Sequence, residues 1–559
     1  MSKEMSRRDL LKMSGLAAAG VAGASLLGGC APKAASSASD SGKAANGGST
    51  AATTAAGHER AGLPSFLSAP EPIKDVKTTK DYDVVIVGAG AAGIPAAITA
   101  KEAGASVAVI QKESTAISQG NTATGILLDK SDPAGVEAVV SKLISEHDYR
   151  AKREQVELWA KNSGEAITWL FNLAQQCGAQ VSDTTKKWTS GIAKVNDYEM
   201  NYLSIDFGPK PYNTGEGMKA LAEYAEKQGV DFFYSTEAKQ LVGDASGITG
   251  VIAKGAEGNI QFNAKKGVIL AAGDYQNDDE MVNYYLPDLK HLGRKQTNKT
   301  GDGHKMAIWA GGAMEDLGHT KMLHDFDAGP GSMCDMPFLA VKMDGTRFCD
   351  ETCGMSLMNN FLRSDADQGN YCQIFDNNYT ETAASWPGKL FDQEAIKAYM
   401  PEEPGEKKGV FEGQIATFKA DTLDELAKKL GITDAAAFKK AVERYNELVA
   451  KGSDEDFGKQ AKWLTPIDTP PFYGIHRHVR VSAIVSGVNV DKHMQVLKDG
   501  TEEPIPGLFA IGNVQGDFFG KDYPVHCPGC STGRSLVFGQ LIGEALAKDT
   551  VITDLIASR

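Results

Sequence analysis

The clearest pattern of apolar and polar positions lies between residues 81 and 110. Val84-Val-Ile-Val87 is an unbroken apolar run that follows Asp81-Tyr-Asp83. Such a run predicts a strand buried on both faces, as in a parallel sheet. Gly88-Ala-Gly-Ala-Ala-Gly93 comes next, then a helical pattern, then a second apolar run, Val107-Ala-Val-Ile110. A strand, a G-x-G-x-x-G turn, a helix and a strand form a dinucleotide-binding unit. The first Gly permits the tight turn, the second admits a pyrophosphate, and the third lets helix and strand pack closely. The helix start offers free N–H groups and the positive dipole end to phosphate.

Further along, Glu154 to Gln176 and Gly217 to Gly229 carry helical periodicity. Thr249 to Ala253 and Gly267 to Gly273 read as strands, the second leaving through Ala271-Ala-Gly273. Thr300-Gly-Asp-Gly303 opens a helix over His304 to Gly311, where Asp302 serves either as a cap or as a group beside a cofactor. Composition changes from about Ala313 to Phe472, with more Met, Asn and aromatic residues. Within that stretch, Leu423 to Leu430 and Ala435 to Lys451 predict a helical hairpin. Strand patterns return at Gly487 to Asp491 and Gly507 to Gly512, and a last helix runs from about Gly533 to Lys548. The chain therefore reads as residues 81–312 and 473–559 of one α/β domain, with an α+β capping domain inserted at 313–472.

Two or more domains suit a length of 559 residues. The formal net charge of -14 speaks against nucleic acid, whose phosphates need a basic face. Ser6-Arg-Arg-Asp-Leu-Leu-Lys12, followed by a weakly apolar Ala/Gly-rich segment, reads as a twin-arginine export signal. Leu26-Leu-Gly-Gly-Cys30 resembles a lipobox, so residues 1–30 are the signal and lipidated Cys30 is the expected membrane anchor. Residues 31–80 read as a flexible linker, too poor in large apolar side chains over most of their length to build a core.

Taken together, these elements resemble the flavoproteins of the fumarate reductase/succinate dehydrogenase family. The exported fumarate-reductase-like and 3-ketosteroid-dehydrogenase-like branch matches best. The resemblance runs from about Tyr82 to Ala547 and adds Gly120-Asn-Thr122, Gly345-Thr-Arg-Phe-Cys-Asp-Glu351 and Ile505 to Gly512 to the motifs above. It implies a Rossmann-type domain holding FAD without covalent attachment, and a cap closing over substrate at the isoalloxazine ring. The implied FAD residues are Gly88, Gly90, Ala91, Ala92, Gly93, Gln111, Lys112, Gly120, Asn121, Thr122, Ala272, Gly273, Asp302, Gly512, Asn513, Ser535 and Leu536. One departure is Gln111, which stands where such folds place the acidic residue for the ribose.

The resemblance also implies hydride exchange between flavin and an activated C=C bond, with a protein group serving the other carbon. Fumarate-type members carry a proton-donor Arg four residues after Glu351, where this chain has Met355, and a His-Thr-Met-Gly-Gly element, where it has Ser482 to Val488. Fumarate is therefore not the expected substrate. Asp522 to Gly539 is similar to the ketosteroid-dehydrogenase element whose Tyr contacts a substrate carbonyl, and Tyr523 takes that place. Arg534, His526, His324, Arg347 and Glu351 complete the candidate catalytic set. Cys527-Pro-Gly-Cys530 and Cys349/Cys353 admit a cluster, zinc or a disulfide, although packed thiols are the expectation and no metal is assigned.

The expected activity is reduction of an enoate or enone, with electrons from a c-type cytochrome or a quinol-linked donor. The alternatives are a ketosteroid-type dehydrogenase and a non-catalytic flavin electron-transfer lipoprotein.

Overall fold

The computed structural model describes residues 63–120, 122–185, 192–208, 213–316, 318–324, 336–353, 355–386, 397, 399–408, 416–520, 523, 527 and 529–559. The export signal, the lipobox, Asn121 and His526 lie outside them, as does most of the linker.

The predicted parallel sheet is present. Strand Val76–Val87 lies between Val107–Ile110 and Gly258–Leu270, parallel to both, and Pro504–Ala510 pairs parallel beyond the latter. Asp231–Phe233 and Gln495–Leu497 form the two ends, and the hairpin Glu237–Asp244/Gly247–Gly255 joins at Gly258–Leu270. Val84 to Val87 are buried, and they divide between the two large apolar clusters on opposite faces of the sheet. This is why the run lacks alternation.

Helix Gly93–Glu102 and the last long helix, Cys530–Ala547, pack together on one of these faces. The contact is backbone to backbone, since a Cβ on Gly539 would sit 2.3 Å from the Ala92 carbonyl oxygen. The last helix starts three residues before the predicted Gly533, because Gly529 takes φ 87° and turns the chain into it. The predicted strand Gly487 to Asp491 is absent as a regular element. It makes only isolated bridges, while Gly487 is pressed onto the Val514 carbonyl and Asp491 Oδ1 turns the chain by accepting from His493 and Gln495 N–H.

A second sheet has the order Leu339–Val341, Asn370–Phe375, Phe472–His478, Ala416–Ala420, Gly405–Lys408, all antiparallel. Helices Leu423–Leu430 and Ala435–Lys451 share an apolar core with it. Thr422 and Asp434 cap their starts, and left-handed Gly431 and Gly452 end them, as the hairpin pattern predicts. A small sheet of Gly293–Arg294, Arg480–Ile484 and Lys321–His324 follows directly on strand Phe472–His478.

Candidate active site

The glycine turn forms a cradle that any side chain would fill. A Cβ at Gly88, where φ is 113°, would lie 2.3 Å from the Ala271 oxygen, and one at Gly93 would lie 2.0 Å from the Gly88 oxygen. Beside the turn is a slot lined by Gly88, Gln111, Lys112, Ala272 and Asp302, and by Thr236, Glu237 and Ala238. Those three have no sequence signal. They arrive because the Gln111 N–H donates to the Phe233 carbonyl and the Thr236 N–H donates to that of Gln111.

Asp302 does not cap its own helix with its side chain, and Gly301 holds the N-cap position. Instead Lys112 Nζ donates to Asp302 Oδ2 and Thr300 Oγ1, each at 2.8 Å. Burial opposes ionisation of Asp302, but the Lys112 ammonium outweighs it and holds the carboxyl below its ordinary range.

Further along the cleft, Gly120 abuts Thr532 Oγ1, and Thr122 Oγ1 donates to Asp206 Oδ1 at 2.5 Å. Left-handed Gly273 lies under the Lys299 side chain. Gly512 and Ser535 face each other across 3.7 Å, measured from an ideal Cβ on the glycine to the serine Oγ. Ala91, Ala92 and Leu536 are buried where the two helices meet, and Gly90 lies against the Ile117 carbonyl. Asp274, the residue after Ala272-Gly273, is fully buried. It accepts from Gln119 Nε2, Gln276 N and Nε2, and Ile484 N, tying the cleft to the small sheet.

Arg534 is fully buried. Its Nη2 donates to the Gly512 carbonyl at 2.8 Å and to Asn513 Oδ1 at 3.0 Å. Its Nε and Nη1 have no partner among the described residues. The guanidinium lies over Phe518 and Phe519, 5.5 and 5.1 Å from the ring centroids. Burial pushes its pKa down to about 10, so it remains charged at neutral pH.

Glu315, which no sequence motif marks, is also buried. Its Oε2 accepts the Asp517 N–H at 2.6 Å, and Oε1 has no partner among the described residues. Burial holds this carboxyl well above its ordinary range. The Tyr523 hydroxyl accepts the Ser531 N–H at 3.2 Å, and its ring packs on Phe519. Burial drives its phenol far above the usual tyrosine range, so it is neutral and can donate.

His324 ends its strand opposite Arg480. Arg347 and Glu351 form an ion network beside strand Leu339–Val341, where the Ala340 N–H donates to Glu351 Oε1. Arg347 donates to both Glu351 oxygens at 2.9 Å and to both Asp454 oxygens at 2.8 and 3.1 Å. Fully buried Lys459 reaches Glu351 at 3.1 Å and Tyr445 at 2.9 Å. Met355 begins the short helix Met355–Met358.

The cradle, the slot and the unsatisfied buried donors of Arg534 fit an elongated, phosphate-bearing cofactor. FAD, when bound, supplies two-electron hydride chemistry at its isoalloxazine ring. Comparison with known proteins supports this fit. The FAD binding domain family matches residues 83–532. Urocanate reductase of Eggerthella lenta is 29% identical, over 83% of this chain and 74% of its own. Digoxin reductase of the same organism is 27% identical over 98% of both chains. The open structure of a flavocytochrome c3 fumarate reductase shares the fold, with a TM-score of 0.65 at 24% identity, covering 84% of this chain and 79% of its own. The chain therefore belongs to the FAD binding domain family and is an FAD-dependent oxidoreductase similar to these reductases.

Proposed function

We propose that this enzyme reduces the activated C=C bond of an enoate or enone other than fumarate. The observation that carries the reading is the pairing, at one helix start, of a neutral, half-buried phenol with a buried cation that has spare donors. Tyr523 polarises the substrate carbonyl or delivers the proton, and Arg534 grips a carboxylate, a carbonyl or the flavin edge. Phe518 and Phe519 keep water from the guanidinium, which strengthens each of these interactions. Met355 and Ser482 stand where fumarate-type members carry substrate groups, which supports a different substrate. Electrons come from a cytochrome or quinol-linked donor outside the cytoplasmic membrane, to which a lipidated Cys30 tethers the protein.

The test is anaerobic. Holoenzyme reduced by dithionite is mixed with a panel of enoates and enones, and the flavin spectrum is followed. Rapid reoxidation by one class identifies the substrate. Fast reoxidation by fumarate alone, or reduction of the oxidised flavin by a saturated steroid, would overturn the proposal.

A further inference from the structure

Two thiols lie beneath the residue assigned to proton delivery. Cys527 and Cys530 are buried, at 2% and 0% exposure, in the apolar cluster that also takes in Phe518 and Phe519. The Cys530 N–H donates to the Cys527 carbonyl at 3.1 Å. A turn closed in this way brings its first and fourth Cα atoms within about 7 Å, close to the span of about 4.4–6.8 Å that a disulfide bridges. Both side chains are buried in the same apolar cluster. The turn has little freedom to open toward Thr124, because a Cβ at left-handed Gly529 would sit 2.7 Å from Thr124 Oγ1. The next residue, Ser531, gives its N–H to the Tyr523 hydroxyl.

We propose that Cys527 and Cys530 are a reversible dithiol–disulfide pair whose oxidation fixes the helix start that holds the Tyr523 hydroxyl. The co-reactant is a disulfide, either a small molecule or a thiol-exchange protein. Local opening of the helix start exposes one cysteine, which loses its proton in water, attacks the co-reactant and expels the first thiolate, leaving a mixed disulfide. The second cysteine attacks the first cysteine's sulfur, forming the ring disulfide and expelling the other thiolate. The two cysteines lose two electrons, the co-reactant gains them, and the two thiol protons end on the two released thiols. Closure draws the sulfurs to about 2 Å and tethers the turn covalently. The inference concerns the turn and does not depend on the identity of the substrate.

A second pair of free cysteines close in sequence, Cys349 and Cys353, provides an internal reference. Holoenzyme is equilibrated in glutathione buffers of stepped oxidised-to-reduced ratio, quenched in acid, alkylated after unfolding, and peptide-mapped. Amide hydrogen exchange is followed on the same samples. The peptide bearing Cys527 and Cys530 should lose both labels together and regain them with dithiothreitol. Exchange across residues 529–536 should slow by about threefold or more on oxidation, because the tether suppresses local opening. Cys527→Ser and Cys530→Ser should each abolish that slowing, whereas Cys349→Ser should leave it intact.

Retention of both labels at the most oxidising ratio, when the urea-unfolded protein loses them, would overturn the pair. Loss of the labels with unchanged exchange at 529–536 would overturn its hold on the helix start.

Discussion

Two buried arginines teach opposite lessons. Arg347 is surrounded by protein acceptors: both its carboxylate partners are bidentate, and Tyr445 and Phe457 cover its faces at 5.0 Å. Arg534 is buried more deeply, yet it has only a carbonyl and an amide oxygen on one nitrogen, and two nitrogens without a described partner. A buried cation without its own counter-ion is costly, and such sites persist where a ligand completes them. Arg347 therefore ties Glu351 and Asp454 together, while on the proposed reading Arg534 is completed by cofactor or substrate.

The contrast breaks most sharply by substitution. Arg534→Met should lower turnover by about 100-fold or more, while the thermal midpoint stays within a few degrees. A fall in stability as large as the fall in activity would make Arg534 structural. Arg347→Met should do the reverse, costing about 3–5 kcal/mol in urea unfolding because Glu351 and Asp454 are left buried and unpaired. Lys459 still offers Glu351 some compensation, which sets the lower end of that range.

A smaller effect comes from pH. Burial pushes His147, His304 and His319 down to about 4 from 6.5. Depressed folded pKa values mean that the unfolded chain takes up more protons between those limits. Stability is therefore full above pH 6.5 and is lost as pH falls towards 4, by up to about 3 kcal/mol per group. His304→Asn should flatten part of that slope in urea midpoints, and parallel slopes would contradict it. Smallest is Gln111→Ala, which should weaken FAD binding about fivefold if its side chain holds the ribose, as read from flavin retention on dilution.

The fold was legible where local chemistry decides it. The Val84–Val87 run, the glycine turn and the capped hairpin at Thr422 and Asp434 each announce themselves within a few residues. The site was legible only in part. Tyr523 and Arg534 could be named from a motif near the last helix, but the spare donors of Arg534 exist only because Gly512, Asn513 and Phe519 fold around it. Thr236, Glu237 and Ala238 reach the slot through backbone pairing with Gln111, which leaves no mark on residue type. Arg347 and Glu351 carried a recognisable element, yet their roles depend on Asp454 and Lys459, far along the chain, which no local pattern links to them. Asp302 showed two possible roles, and the Lys112 contact draws it to the slot.

The most direct test is a single-turnover comparison of the parent enzyme with Tyr523→Phe, both loaded with FAD and reduced by dithionite, then mixed anaerobically with the unsaturated compound that reoxidises the parent fastest. If the Tyr523 phenol serves the second carbon, the variant keeps its flavin and reoxidises about 100-fold more slowly. Equal rates in the two proteins would remove Tyr523 from the chemistry, and with it the assignment of this helix start as the reaction site.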